Sequence, residues 1–427
     1  MKTQMSIIFI PVTIFILTAC TPAQSPAIPT TEPSPTATLT FTPTKTPSVT
    51  QTLTPTATNT PILAVTPGIP SNSPSIKPTV AISAGGTHAC ALLSNGEVMC
   101  WGDNSSGQLG NGTYSPSSIP VKVIGLVDIV AIAAGGEHTC AISKTASIKC
   151  WGDNYYGQLG DGTRTMRNTP VDVIGLSGPV ISITAGLDHT CAITGAGEAK
   201  CWGKNHFSRL GNGSNSFMSK TPENVVDLRD VPVYLSAGDE HTCALLISGG
   251  VQCWGDNSAG QLGIGENKKV SKIPIDVASL ESGVTSITTG FSKSCAILSN
   301  GKVKCWGWIG SSLFLDEPTE VNELNNAVSI AAGGGHICIV TGEGDVNCLG
   351  ENSAGQLGDR TNSDSDSLVR VTSLNEDAIS VVANFDFTCV LMKSGSVKCW
   401  GDNSVGQLGN GTEVSSSIPV DVQGLSQ

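Results

Sequence analysis

Residues 85–112 read GGTHACALLSNGEVMCWGDNSSGQLGNG, and the chain writes this stretch repeatedly. Aligned on Cys-Trp-Gly, it recurs at Cys100-Trp101-Gly102, Cys150-Trp151-Gly152, Cys201-Trp202-Gly203 and Cys253-Trp254-Gly255. Cys305-Trp306-Gly307, Cys348-Leu349-Gly350 and Cys399-Trp400-Gly401 complete the series. Successive second cysteines lie 50, 51, 52, 52, 43 and 51 residues apart. Self-similarity at such a period marks an array of units that bury a shared core by stacking on one another.

Each unit reads as four short strands. In the second, VAIAAG, HTCAI, IKCWG and PVDVIG are apolar or β-branched runs separated by glycine-rich turns. Helical periodicity is absent, and a chain with 49 glycines makes poor helices. Four strands in each of seven units predict an all-β, seven-bladed β-propeller over residues 80–427, whose radial closure leaves only short, protected edges. A linear β-solenoid is the competing architecture.

The cysteines fix the register inside each unit. Fourteen of the fifteen pair at a spacing of ten: Cys90/Cys100, Cys140/Cys150, Cys191/Cys201, Cys243/Cys253, Cys295/Cys305, Cys338/Cys348 and Cys389/Cys399. In CALLSNGEVMC the natural turn is Ser94-Asn95-Gly96, with glycine at the left-handed position. That turn pairs Leu93 with Glu97 and, stepping outward, Cys90 with Cys100. Alternation makes the cysteines a non-hydrogen-bonded pair, where side chains approach most closely and a disulfide can form. One intra-blade disulfide per blade is the expectation. Ala146 stands where the other units carry glycine. Zinc ligation and reduced core cysteines are the competing readings; zinc favours closer ligand pairs.

The repeat G-x-x-H-x-C-A-(I/L)…C-W-G-D-N-x-x-G-Q-L-G resembles that of the regulator of chromosome condensation family, over residues 80–427. The resemblance implies a seven-bladed propeller. Two units depart from the pattern: the fifth has Trp308-Ile309-Gly310 where DNxxGQLG belongs, and the sixth has Leu349 for tryptophan. The family's eukaryotic namesake is a nuclear exchange factor for a small GTPase that docks on chromatin. Neither role is expected for an exported, acidic domain, and a secreted bacterial β-lactamase inhibitor of similar architecture is the nearer analogue.

Export is read from the N-terminus. Residues 1–20 have a lysine start, an apolar run and Leu17-Thr18-Ala19-Cys20, which resembles a bacterial lipobox with Cys20 lipidated. Residues 21–79 hold 13 prolines and 17 threonines, the composition of a disordered stalk. The expected location is therefore the bacterial cell envelope, lipid-anchored and facing outside the cytoplasm. The net charge is −12, so nucleic acid is a poor partner.

Chemistry is sparse. His88, His138, His189, His241 and His336 share one repeat position, with Lys293 and Phe387 in the other two units. Each imidazole is expected to hydrogen-bond within its own blade rather than ligate a metal. The DNxxGQLG segments lack the alternating carboxylates of a calcium loop. No cofactor and no metal are predicted, and no catalytic residue is assigned. The variable positions supply a candidate binding face instead: Tyr155 and Tyr156 in the second unit, His206 and Phe207 in the third. Trp308 and Phe314 in the fifth are a second candidate. Aromatics are what protein interfaces concentrate. The expected function is a monomeric, surface-displayed module binding an extracellular protein or glycan. An enzyme, a lyase or hydrolase acting on carbohydrate, is the other class.

Overall fold

The computed structural model describes residues 78–265, 268–310, 313–321 and 324–425. The expected signal segment, Cys20 and residues 21–77 of the expected stalk lie outside the described residues, while Thr79, placed in the stalk by composition, opens the first strand. The rest is a seven-bladed propeller of four-stranded antiparallel sheets. The first blade runs Thr79–Ala84, His88–Leu93, Val98–Gly102 and Ser117–Lys122, from the channel outward, and the other six repeat this order.

Within a blade, the turn chemistry sets the register. The Leu93 N–H donates to Glu97 O at 2.9 Å and the Gly96 N–H to Leu93 O at 2.9 Å. Gly96 sits at φ 80°, the left-handed region that glycine enters without steric cost. Ala146 adopts φ 62° in the second blade and closes the same turn. Cys90 consequently faces Cys100, and all seven pairs form disulfides with Cα atoms 4.1 Å apart. Such a bridge closes a loop of about ten residues, for which the chain-entropy model gives roughly 2.5–3 kcal/mol.

Between blades, one peptide carbonyl organises the contact. The Trp151 indole N–H donates 2.8 Å to the carbonyl of Gln108, in the GQLG turn of the preceding blade. The Thr139 hydroxyl donates to the same oxygen at 3.0 Å. His88 Nε2 meets that hydroxyl at 2.8 Å. The threonine proton is already spent on Gln108, so Nε2 carries the hydrogen and the imidazole donates. The arrangement repeats as His138–Thr190, His189–Thr242, His241–Ser294 and His336–Thr388. The histidines thus bond to the next blade and not within their own, contrary to the sequence expectation. A side chain on Gly85 would stand 2.2 Å from His88 Cε1, which is why glycine precedes each histidine by three.

The two irregular units are one irregularity. With no GQLG turn in the fifth blade, the sixth has no carbonyl to receive an indole or a hydroxyl. Leu349 replaces tryptophan and packs with Ile309 and Leu324; Ile337 replaces threonine. With no hydroxyl opposite, Lys293 replaces histidine and its ammonium reaches Gly333 O at 3.2 Å and Gly334 O. Ring closure shows the same logic. Ala89 offers no hydroxyl, and the facing residue of the seventh blade is the buried Phe387. Trp101 still donates to Gln407 O at 2.9 Å, joining the first blade to the seventh without a shared strand.

Leu349→Trp should therefore destabilise the domain by roughly 2–4 kcal/mol, because the site is overpacked and the indole N–H stays unpaired. Denaturant midpoints under oxidising conditions measure this.

The histidines also set an acid limit. Burial pushes His88, His241 and His336 down to about 3 and His138 to about 4, and His189 falls well below its ordinary value. Between about pH 6.5 and these values the unfolded chain binds protons that the native one refuses, so stability falls as pH falls. Asp239, raised to about 7 chiefly by burial, and Asp386, raised by burial as well, act in the opposite sense, as two groups against five. Thermal midpoints should drop steadily from pH 6.5 toward pH 4, with net proton uptake on unfolding.

Candidate functional site

The loops after the first and third strands of each blade share one face. There the DNxxGQLG turn is a closed hydrogen-bond unit. Asn104 is fully buried: its Oδ1 accepts the Leu109 N–H at 2.9 Å, while Nδ2 donates to Thr113 O and Ser115 O at 3.0 and 2.9 Å. Asp103 Oδ2 accepts from Gln108 Nε2 at 2.8 Å and from Ser105 Oγ at 2.8 Å. The carboxylate and amide oxygens that would be needed for a cation are spent on the turn itself.

The third blade breaks this unit. Lys204 stands for the aspartate, Ser208 for the glycine and Arg209 for the glutamine. Phe207 and Ser208 both take left-handed backbone, φ 57° and 62°. For L-residues that conformation costs about 1–2 kcal/mol each. The Arg209 carbonyl nevertheless accepts the Trp254 indole at 2.8 Å and the Thr242 hydroxyl at 2.9 Å, so the inter-blade contact survives. The arginine side chain is fully buried and donates to His206 O, Asp239 O and Glu240 Oε1 at 3.0, 2.6 and 3.2 Å.

The candidate aromatics meet. Tyr155 and Tyr156 are 4.9 Å apart edge to face, and Tyr156 reaches Phe217 of the next blade at 5.8 Å. His206 lies 6.0 Å from Phe217 and 3.9 Å from Phe207. Two cations cap the rings: Arg164 stands 4.7 Å from the Tyr155 centroid and Lys204 4.6 Å from that of Tyr156. Lys204 is also paired with Asp188 at 2.8 Å. Tyr155 and Phe217 are more than half exposed. Phe217, a variable-loop residue that the sequence pattern already pools with these aromatics, is the one that joins the two blades. Arg167 of the same loops turns aside to Asp161, at 3.2 Å. Trp308 and Phe314 form a separate pair across one hairpin, with ring centroids 6.3 Å apart.

Comparison with known proteins agrees with the architecture and changes the biological setting. The model of the RCC1-like domain matches residues 48–313, and those of the regulator of chromosome condensation (RCC1) repeat match 327–356, 378–407 and 394–427. The human E3 ubiquitin-protein ligase HERC2 is 29% identical over 294 residues, 66% of this chain but only 5% of that protein. The Arabidopsis thaliana ultraviolet-B receptor UVR8 is 29% identical over 355 residues, 80% of this chain and 69% of the receptor. Yeast Prp20p superposes with a TM-score of 0.68 at 22% identity, over 82% of this chain and 87% of its own.

Several expectations are corrected by these findings. The relatives are eukaryotic proteins, a ubiquitin ligase and a light receptor among them, and not bacterial envelope lipoproteins. The bacterial envelope location, the lipid anchor at Cys20 and the extracellular partner are set aside on that ground. The exclusion of a small GTPase is overturned as well: Prp20p is described by its binding to the GTPase Gsp1p and to histones, and has been solved bound to Kap60. With its repeats matched along most of its length, this chain belongs to the family of RCC1-like domains.

Proposed function

We propose that this chain is a protein-binding propeller and that its contact surface is the aromatic and basic cluster of the second and third blades. The observation that carries the reading is the joint departure of one turn. Five of the seven blades hold DNxxGQLG nearly constant and the fifth lacks the turn, whereas the third keeps the turn but gives up its glycine and accepts two strained residues. Phe207 and Ser208 are the only two consecutive left-handed non-glycine residues among the described residues, and strain concentrated in one turn is a pointer to function. Exposed aromatics flanked by Arg164 and Lys204 supply a desolvatable centre with a charged rim. Prp20p, of the same fold, engages Gsp1p, histones and Kap60, all proteins. Binding rather than catalysis is the proposed activity. Asp239 and Asp386 are both raised by burial, but only Asp239 lines the central cavity.

The test uses a Gsp1p-type GTPase and core histones as capture probes for the full chain. Tyr156→Ala with Phe207→Ala should weaken capture about thirtyfold, the equivalent of about 2 kcal/mol, with the thermal midpoint nearly unchanged. Unaltered capture would place the contact elsewhere. Phe207→Gly separates the two roles further. It should raise the thermal midpoint, because glycine tolerates φ 57°, while still weakening capture.

A further inference from the structure

The ends of the inner strands surround a central cavity of about 100 Å3. Small residues line it, alanine in six blades and Thr289 in the fifth, together with the peptide groups of the glycine turns. Among the lining residues Asp239 alone is ionisable. It stands where the first two blades have Gly86 and Gly136. Asp239 is 7% exposed, and its Oδ2 is buried without a hydrogen-bond partner among the described residues.

The neighbouring cations are committed elsewhere. Arg209 donates to the Asp239 peptide oxygen and to Glu240, not to the Asp239 carboxylate. The Lys293 ammonium is held by Gly333 O and Gly334 O. A buried carboxylate left without donors takes up either a proton or a cation. Anions are repelled by Asp239 and by the adjacent Asp188 and Glu240. Apolar ligands find a wall of peptide groups. No group of three His, Cys, Asp or Glu side chains among the described residues could hold a metal ion, so a site for a multiply charged ion is disfavoured.

We infer that the central cavity binds one small monovalent cation of the potassium or primary-ammonium type, held by the Asp239 carboxylate. A lysine ε-ammonium from a partner carries the same chemistry. The inference stands apart from the aromatic cluster and does not depend on it. The cation competes with a proton. Burial lifts the Asp239 carboxyl to about 7, opposed by Arg209 and Lys293 and aided by Asp188 and Glu240. Affinity should therefore be about tenfold lower at pH 6 than at pH 8.

Thermal melts of the full chain in potassium chloride or methylammonium chloride, against choline chloride at equal ionic strength, test this. Choline's quaternary head carries no N–H donor and its charge is shielded by three methyl groups, so it serves as the reference cation. The midpoint should rise with potassium or methylammonium by mass action, less at pH 6. The rise should vanish in Asp239→Asn and shrink in Ala332→Val, which narrows the cavity and keeps the carboxylate. Thallium(I) anomalous scattering beside Asp239 in crystals of the unaltered protein decides the matter if either variant fails to fold. A rise with a lysine peptide whose α-amine alone is blocked by acetylation, leaving the ε-ammonium free, and lost in Asp239→Asn, assigns the site to a side-chain ammonium. Equal midpoints in all salts and with the peptide, a rise retained in Asp239→Asn, or an empty anomalous map overturns the inference.

Discussion

The peptide carbonyl of Gln108, and its counterpart in most other blades, is the acceptor on which this ring depends. It takes the indole N–H of the next blade, and in most interfaces a hydroxyl whose oxygen receives an imidazole N–H. All of these groups are buried away from water, so losing the acceptor orphans both donors that meet at it, at about 1–3 kcal/mol each. Substitutions at such an interface have to move together. The fifth blade has lost the turn, and Leu349, Ile337 and Lys293 have all changed in consequence.

Because the acceptor is backbone, the side chain at the glutamine position is free to vary. Arg209 illustrates this. Its carbonyl keeps the contact with Trp254 and Thr242, while its guanidinium leaves the turn for Asp239 and Glu240. Released from the DNxxGQLG hydrogen-bond unit, the third blade presents His206 and Phe207 beside Tyr156 and Phe217. The disulfides complement this division of labour. Each blade is cross-linked within its own hairpin, so local rigidity does not rely on the inter-blade contact.

Similarity in sequence to HERC2 and UVR8, and in fold to Prp20p, joins proteins of very different activity, as expected of a fold whose sites sit in loops. What they share with this chain is the repeat, and the repeat is mostly concerned with closing the ring. The residues that depart from it carry the functional argument here. The N-terminal segment misled on setting and partner, because a short lysine-led apolar run with a following cysteine is a local pattern with no tie to the propeller.

Blade number, strand order within a blade and the pairing of Cys90 with Cys100 were legible in the sequence, because each is fixed by contacts within one repeat. Turn length and the two-residue alternation of a strand determine them without reference to any neighbour. The aromatic positions of two adjacent units could likewise be read as facing the same way. The partner of His88 could not: Thr139 lies 51 residues away and meets it only once two blades are packed. Lys204 joined the aromatic cluster for the same reason, through a contact across blades, whereas Phe217 was already legible as a loop residue of the same patch. Asp239 reads in sequence as one more polar turn residue. Only the closed ring sets it against alanines from six blades and leaves its carboxylate without a donor, since a channel exists in no single repeat and its burial is a property of all seven.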